Sequence, residues 1–180
     1  NRAVALLHSF WFPQALAACE GVAAKDSSCA IAHWGVALSR WGNPFAGLRS
    51  PQQIELGRAA IQKAQAAGSP TPRERAYINA AAELFTCGDA GTQRARTVAY
   101  EQAMERLVRD FPGDMEARIF YALAVNQTAL ASDKKFSQQL KAAAILEPLF
   151  KEHPKHPGLA HYIIHAYDHP PLAEKALSAA

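Results

Sequence analysis

Internal repetition constrains this chain more than any other feature of its sequence. Three segments of similar pattern come into register when one alanine of each is aligned: Ala32, Ala117 and Ala160. The opening residues fit the same frame when Ala3 is placed on Ala32. Such self-similarity is typical of stacked structural units that cannot bury their apolar faces alone. The chain therefore favours a repeat architecture.

Helix start signals indicate that the repeating unit is helical. Ser50-Pro51-Gln52-Gln53 and Thr71-Pro72-Arg73-Glu74 each place a hydroxyl residue before a proline, with Gln or Glu at the third helical position. This pattern is a capping box with proline in the first turn. No segment alternates between apolar and polar residues over a useful length, so we predict no sheet. The prediction is an all-α fold of about seven to eight helices, the last of them after Pro171.

Residues 12–38 carry the pattern of one helical hairpin followed by the start of the next. Residues 12–19 look like the opening of a second helix, and residues 30–38 look like the following first helix, with aromatic and small side chains. On these residues the chain resembles the tetratricopeptide repeat family, closely over residues 1–42 and more loosely over residues 100–170. The intervals between aligned helices are not multiples of the family's repeat of about 34 residues. The resemblance therefore implies a degenerate array of hairpins wound into a right-handed α-α superhelix, a single domain over residues 1–180.

The resemblance also implies a function, because the family binds peptides or proteins on the concave wall lined by the first helix of each hairpin. Aromatic residues on those helices and in the loop after the second of them are the candidate partner-binding residues: Trp34, Trp41, Phe45, Tyr121 and Tyr162. The same aromatic residues are equally typical of a packed core. The expectation is a non-enzymatic scaffold or protein-binding module.

Charge and motifs argue against other classes of function. The formal net charge is only +3 and the Lys and Arg residues are scattered, which disfavours a nucleic-acid-binding module. No apolar run approaches the roughly 20 residues that a membrane-spanning helix needs. A Gly-rich phosphate loop, a nucleophile elbow and a dinucleotide fingerprint are all lacking in the sequence. We therefore expect no enzymatic activity.

Two histidines provide the alternative function, a site for a metal ion or a small ligand. His161 and His165 are four residues apart on a predicted helix, the spacing of a two-histidine half-site for zinc or copper, and Asp168 follows as a third ligand. Tyr162 occupies the position where metalloproteases carry Glu, which disfavours a hydrolytic zinc site. His8 aligns with His165, and His33 with His161, so an earlier hairpin could contribute a further ligand. The competing interpretation, which the sequence favours, is structural, with each ring donating to a carbonyl or carboxylate of a neighbouring helix.

The cysteines and the two ends of the chain bear on context. Cys19, Cys29 and Cys87 match no zinc motif and are interpreted as small buried residues, although a disulfide between Cys19 and Cys29 would indicate an oxidising compartment. Together with the absence of an initiator Met, that pairing suggests an exported or periplasmic protein. The alanine-rich pattern continues to Ala180, so we expect a fragment of a longer chain, or a subunit of a larger assembly.

Overall fold

The computed structural model describes residues 2–68, 70–86 and 90–180. In these ranges the chain forms nine α-helices and no strand: α1 (Arg2–His8), α2 (Phe12–Lys25), α3 (Ala30–Trp41), α4 (Pro51–Ala66), α5 (Pro72–Ala82), α6 (Gln93–Asp110), α7 (Met115–Gln127), α8 (Ser137–Glu152) and α9 (Pro157–Tyr167). Three short 3-10 helices cover Glu83–Phe85, Ala90–Thr92 and Ala173–Ala176. The prediction of an all-α fold is confirmed. No helix of the described residues combines the length and the apolar character needed to cross a membrane.

The nine α-helices of the described residues exceed the predicted seven to eight, and residues 2–25 hold two of them, as the sequence indicates. Phe10 adopts a left-handed backbone conformation with φ of 56°, which turns the chain after α1. Pro13 then lies in the first turn of α2, where a missing backbone N–H costs nothing. The short helix α1, seven residues long, is thereby separated from α2.

The two capping boxes form as the sequence predicts. The Ser50 hydroxyl accepts from the backbone N–H of Gln53 at 3.1 Å, and the Thr71 hydroxyl accepts from that of Glu74 at 3.2 Å. The Gln53 and Glu74 side chains in turn accept from the backbone N–H groups of Ser50 and Thr71. Both helices start at the following proline because these contacts are local and satisfy otherwise orphaned donors.

The prediction of a last α-helix after Pro171 is wrong, because that segment forms only a 3-10 turn over Ala173–Ala176. Leu172 is the one buried residue between 172 and 180. Short helices are marginal in water unless an apolar face packs against the protein, so the helix propensity of alanine alone does not suffice here.

The chain divides into two compact units, Asn1–Ala103 and Met104–Ala180. In the first unit each of the helices α1 to α5 packs against the next, and α3 also packs against both α1 and α5. Its core contains Trp34 and Trp41, whose rings meet those of Tyr77 and Phe85 edge to face at centroid distances of 5.5 and 5.8 Å. These contacts join the α3 helix to the elements that follow it.

The second unit repeats this pattern with α7, α8 and α9. Each packs against the next, and α7 also contacts α9. Ile119, Leu146, Leu159 and Ile163 are fully buried in this core together with Tyr162.

A close approach between α2 and α3 explains one glycine. A Cβ added to Gly35 would lie 2.4 Å from the Sγ of Cys19, so only glycine fits against that thiol. Cys19 is buried and Cys29 is partly buried, and both are free thiols in this structure. Cys87 lies outside the described residues. The interpretation of Cys19 as a small buried residue agrees with its position.

Candidate functional site

A cluster of aromatic side chains lies where the α1–α2 turn meets the loop after α3. The Phe10 ring stacks on Phe12 at a centroid distance of 5.3 Å and contacts Phe45 at 6.3 Å. Trp11 is 59% exposed, Phe45 39% and Leu48 68%. We call these five residues, Phe10, Trp11, Phe12, Phe45 and Leu48, the aromatic patch.

Phe10 and Arg49 make the contacts that order the backbone around the patch. A positive φ is unfavourable for a bulky side chain, at a cost of roughly 1 to 2 kcal/mol, and Phe10 keeps it while its ring packs between Phe12 and Phe45. The buried guanidinium of Arg49 donates to the backbone carbonyls of Asn43, Ala46 and Gly47. The loop that carries Phe45 and Leu48 therefore closes around a fixed cation.

Further contacts secure Arg49 itself. Its guanidinium carbon lies 4.7 Å from the centre of the Trp41 ring, a cation–π contact, and its backbone N–H donates to Gln93 at 2.7 Å. Burial lowers the pKa of the guanidinium, but arginine starts from so high a value that it stays charged at neutral pH. No sequence motif points to Arg49, because a lone arginine after a Gly-containing loop matches no recognisable pattern.

The five predicted partner-binding residues divide by burial. Phe45 is exposed, whereas Trp34, Trp41, Tyr121 and Tyr162 are buried. The Tyr121 hydroxyl also donates to Glu105 at 2.7 Å, as expected of a tyrosine that supports its own unit. Of the three tryptophans, Trp11 is exposed, whereas Trp34 and Trp41 are buried.

The second candidate site is the histidine pair of α9. The Nε2 atoms of His161 and His165 lie 3.1 Å apart, and their ring centroids are separated by 4.8 Å. Both side chains are partly buried. Burial lowers the pKa of His165, the neighbouring His161 lowers it further, and Asp168 partly opposes the change. His165 is therefore biased toward the neutral imidazole that binds metals.

Asp168, His8 and His33 are the further ligands that the sequence suggests for the histidine pair. Asp168 is exposed and caps the C-terminus of α9, and its carboxylate does not complete a three-ligand cluster with the pair in this conformation. His8 and His33 belong to the first unit, where His8 is buried and His33 lies 3.3 Å from the carbonyl of Ser27. Within the second unit, the pairing of His161 with His165 is as the helical spacing predicts.

His156 and His169 have structural contacts that the sequence did not reveal. His156 accepts from the backbone N–H of Gly158 at the start of α9, and its Nε2 lies 3.2 Å from Glu116. The His169 ring packs against Phe136 at 4.9 Å and its Nε2 lies 3.3 Å from the Gln139 amide. Apart from the local bond to Gly158, these contacts join residues 30 or more positions apart, so spacing alone could not find them.

No protein-family model, curated protein or solved structure matches this chain significantly. Its function is therefore inferred from the geometry of the two candidate sites.

Proposed function

We propose that the chain is a non-enzymatic, tetratricopeptide-like module that binds a protein partner through the aromatic patch. The observation that carries this proposal is an exposed tryptophan, Trp11, that directly follows Phe10, whose ring contacts that of the exposed Phe45. Tryptophan and tyrosine are enriched at binding hot spots because one side chain buries a large apolar area.

The packing of the helices supports the tetratricopeptide-like part of the proposal. In that architecture the first helices of successive hairpins contact each other as well as their own second helices. Such contacts join α1 to α3 and α3 to α5 in the first unit, and α7 to α9 in the second. Each unit is then a short stretch of right-handed superhelix, with the aligned alanines on its first helices.

The choice of the aromatic patch over the wall of first helices follows from exposure. The aromatic side chains on those helices are used in the core, so they offer a partner little area unless the core opens. Trp11, Phe45 and Leu48 offer apolar area without any such cost. A loop whose backbone is already hydrogen-bonded to Arg49 loses less conformational entropy on binding, which favours affinity.

A photo-crosslinking experiment tests the proposal most directly. Benzoylphenylalanine at position 11 should capture a discrete protein partner in extracts of the source cells, and the control is the same group at Leu130, another exposed apolar residue. Capture of a second copy of this chain would identify self-association as the interaction. Equal capture from both positions, or none from position 11, would count against the patch.

Substitution in the patch gives an affinity measurement once that partner is known. Trp11→Ala with Phe45→Ser should weaken binding at least tenfold, because truncating a hot-spot residue costs about 2 kcal/mol or more. Leu130→Ser is the matched control and should leave the affinity unchanged. Leu130→Ser should change the free energy of unfolding little, since Leu130 is exposed. The double variant also loses the ring contact of Phe45 with Phe10, so its folding is checked by circular dichroism before affinities are compared.

A further inference from the structure

The histidine pair on α9 has a geometry that a purely structural role does not require. His161 and His165 present the same ring atom, Nε2, to one another at 3.1 Å. Between neutral rings this contact has one donor and one acceptor, so the two imidazoles must adopt different tautomers. With both rings in the Nδ1–H tautomer, two lone pairs converge on one point, which is favourable only when a cation lies there.

We propose that the Nε2 atoms of His161 and His165 chelate one divalent transition-metal ion, zinc or copper, on the C-terminal half of α9. With metal–nitrogen distances of about 2.0 to 2.1 Å, nitrogens 3.1 Å apart subtend an angle of about 100° at the ion. That angle lies between the ideals of octahedral and tetrahedral coordination. An ion can therefore enter with little change in either side chain.

The surroundings of the pair favour a cation. His165 lies in the last turn of α9, where the helix dipole places partial negative charge. The Asp168 carboxylate lies three residues further on, at the C-cap position of α9. Because Asp168 is exposed at the end of the helix, a change of rotamer can bring it toward the ion as a third ligand, and water would complete the coordination.

Imidazole nitrogen selects the class of metal. Calcium and magnesium prefer oxygen ligands, whereas imidazole suits copper, nickel and zinc. The second unit contains no cysteine, so it offers the ion no thiolate ligand. The chain has no Glu directly after His161, so this ion has no evident general base for hydrolysis and would bind a ligand or stabilise the second unit.

The test is metal titration of tag-free protein, with Zn²⁺ followed by calorimetry and Cu²⁺ by electron paramagnetic resonance. One equivalent of each ion should bind, and the copper spectrum should show coupling to nitrogen. His161→Gln and His165→Gln should each weaken binding at least tenfold, and Asp168→Asn should weaken it less. The matched control is His153→Gln, an exposed histidine of the same unit, which should bind the ions as the parent does.

Three outcomes would overturn the proposal. These are no stoichiometric binding by the parent, unchanged binding by the His161→Gln/His165→Gln variant, or loss of binding on substitution of His153. Circular dichroism of each variant without metal separates loss of ligands from loss of folding. Crosslinking at position 11 needs no metal, so failure of the metal site and failure of the protein-binding proposal are distinguishable.

Discussion

The Cys19 thiol shows how burial controls the chemistry of a single residue. Burial, and to a lesser degree the neighbouring Cys29 and Glu20, raises the pKa of Cys19 from 9.0 to about 11. The neutral thiol is the less reactive form, and this side chain is almost fully buried. We expect iodoacetamide to modify Cys29 much faster than Cys19 at pH 8, as measured by mass spectrometry of the labelled peptides. Comparable rates would show that the α2–α3 contact opens readily.

The same raised pKa predicts how stability depends on pH. The folded state disfavours the thiolate of Cys19, so ionisation of this thiol favours unfolding. The contribution of Cys19 to folding stability is therefore fully present below the pKa of the unfolded thiol and is lost as pH rises through about 11. The effect is on the order of 2 kcal/mol for a shift of this size. Urea unfolding at pH 8 and pH 10.5 should show a smaller alkaline loss for Cys19→Ala than for the parent. An identical loss in both would assign the effect to other groups.

Trp34 is the residue at which the core and partner-binding interpretations differ most. The ring is buried and packs edge to face on Tyr77 at 5.5 Å. Trp34→Ala should lower the free energy of unfolding by about 3 to 5 kcal/mol, since it removes a large buried side chain. Trp11→Ala is the control and should cost less than about 1 kcal/mol. Similar small losses for both variants would place Trp34 at the surface.

At the scale of elements, two glycines provide a test of helix packing. Gly35→Ala should destabilise by about 1 to 3 kcal/mol, because its new methyl group meets the Cys19 sulfur at 2.4 Å. Gly21→Ala, in α2 with nothing within 4 Å of an added Cβ, should instead stabilise by up to about 1 kcal/mol. Chemical denaturation of both variants measures these changes.

A Cys19→Ala background separates steric overlap from helix propensity. There the methyl of Gly35→Ala would meet a Cβ at 3.5 Å, an ordinary contact, so most of the loss should disappear. If Gly35→Ala lowered the free energy of unfolding by the same amount in this background, the requirement for glycine at position 35 would come from its backbone and not from the Cys19 side chain.

Elements defined by local contacts were predictable from the sequence, and those defined by tertiary packing were not. The starts of α4 and α5 depend on side chains three residues apart, so the capping patterns at Ser50 and Thr71 sufficed. The segment after Pro171 has equally strong helix propensity but buries only Leu172, and it forms no α-helix. Burial of an apolar face cannot be read from propensity.

The two candidate sites differ in the same way at the scale of the molecule. His161 and His165 share one helix, so their spacing alone predicted that they would meet. The aromatic patch combines residues 10–12 with residues 45–48, which meet only after α1, α2 and α3 have packed. The sequence shows where the tryptophans are but not which of them remains exposed to water.

For the whole chain, the far-ultraviolet circular dichroism spectrum should be that of a predominantly helical protein. Nine α-helices cover most of the described residues, and those residues form no strand. A strong sheet component would contradict this fold. The temperature at which the helical signal is lost measures the thermal stability of the fold under the same conditions.

The distribution of tryptophan has a spectroscopic consequence. All three indoles, at positions 11, 34 and 41, belong to the first unit, and only that of Trp11 is largely exposed. Red-shifted emission from the protein therefore originates mainly from Trp11, while the two shielded fluorophores contribute the blue side of the band. A partner that covers the aromatic patch should shift the emission to shorter wavelength, so the chain carries its own optical reporter of binding.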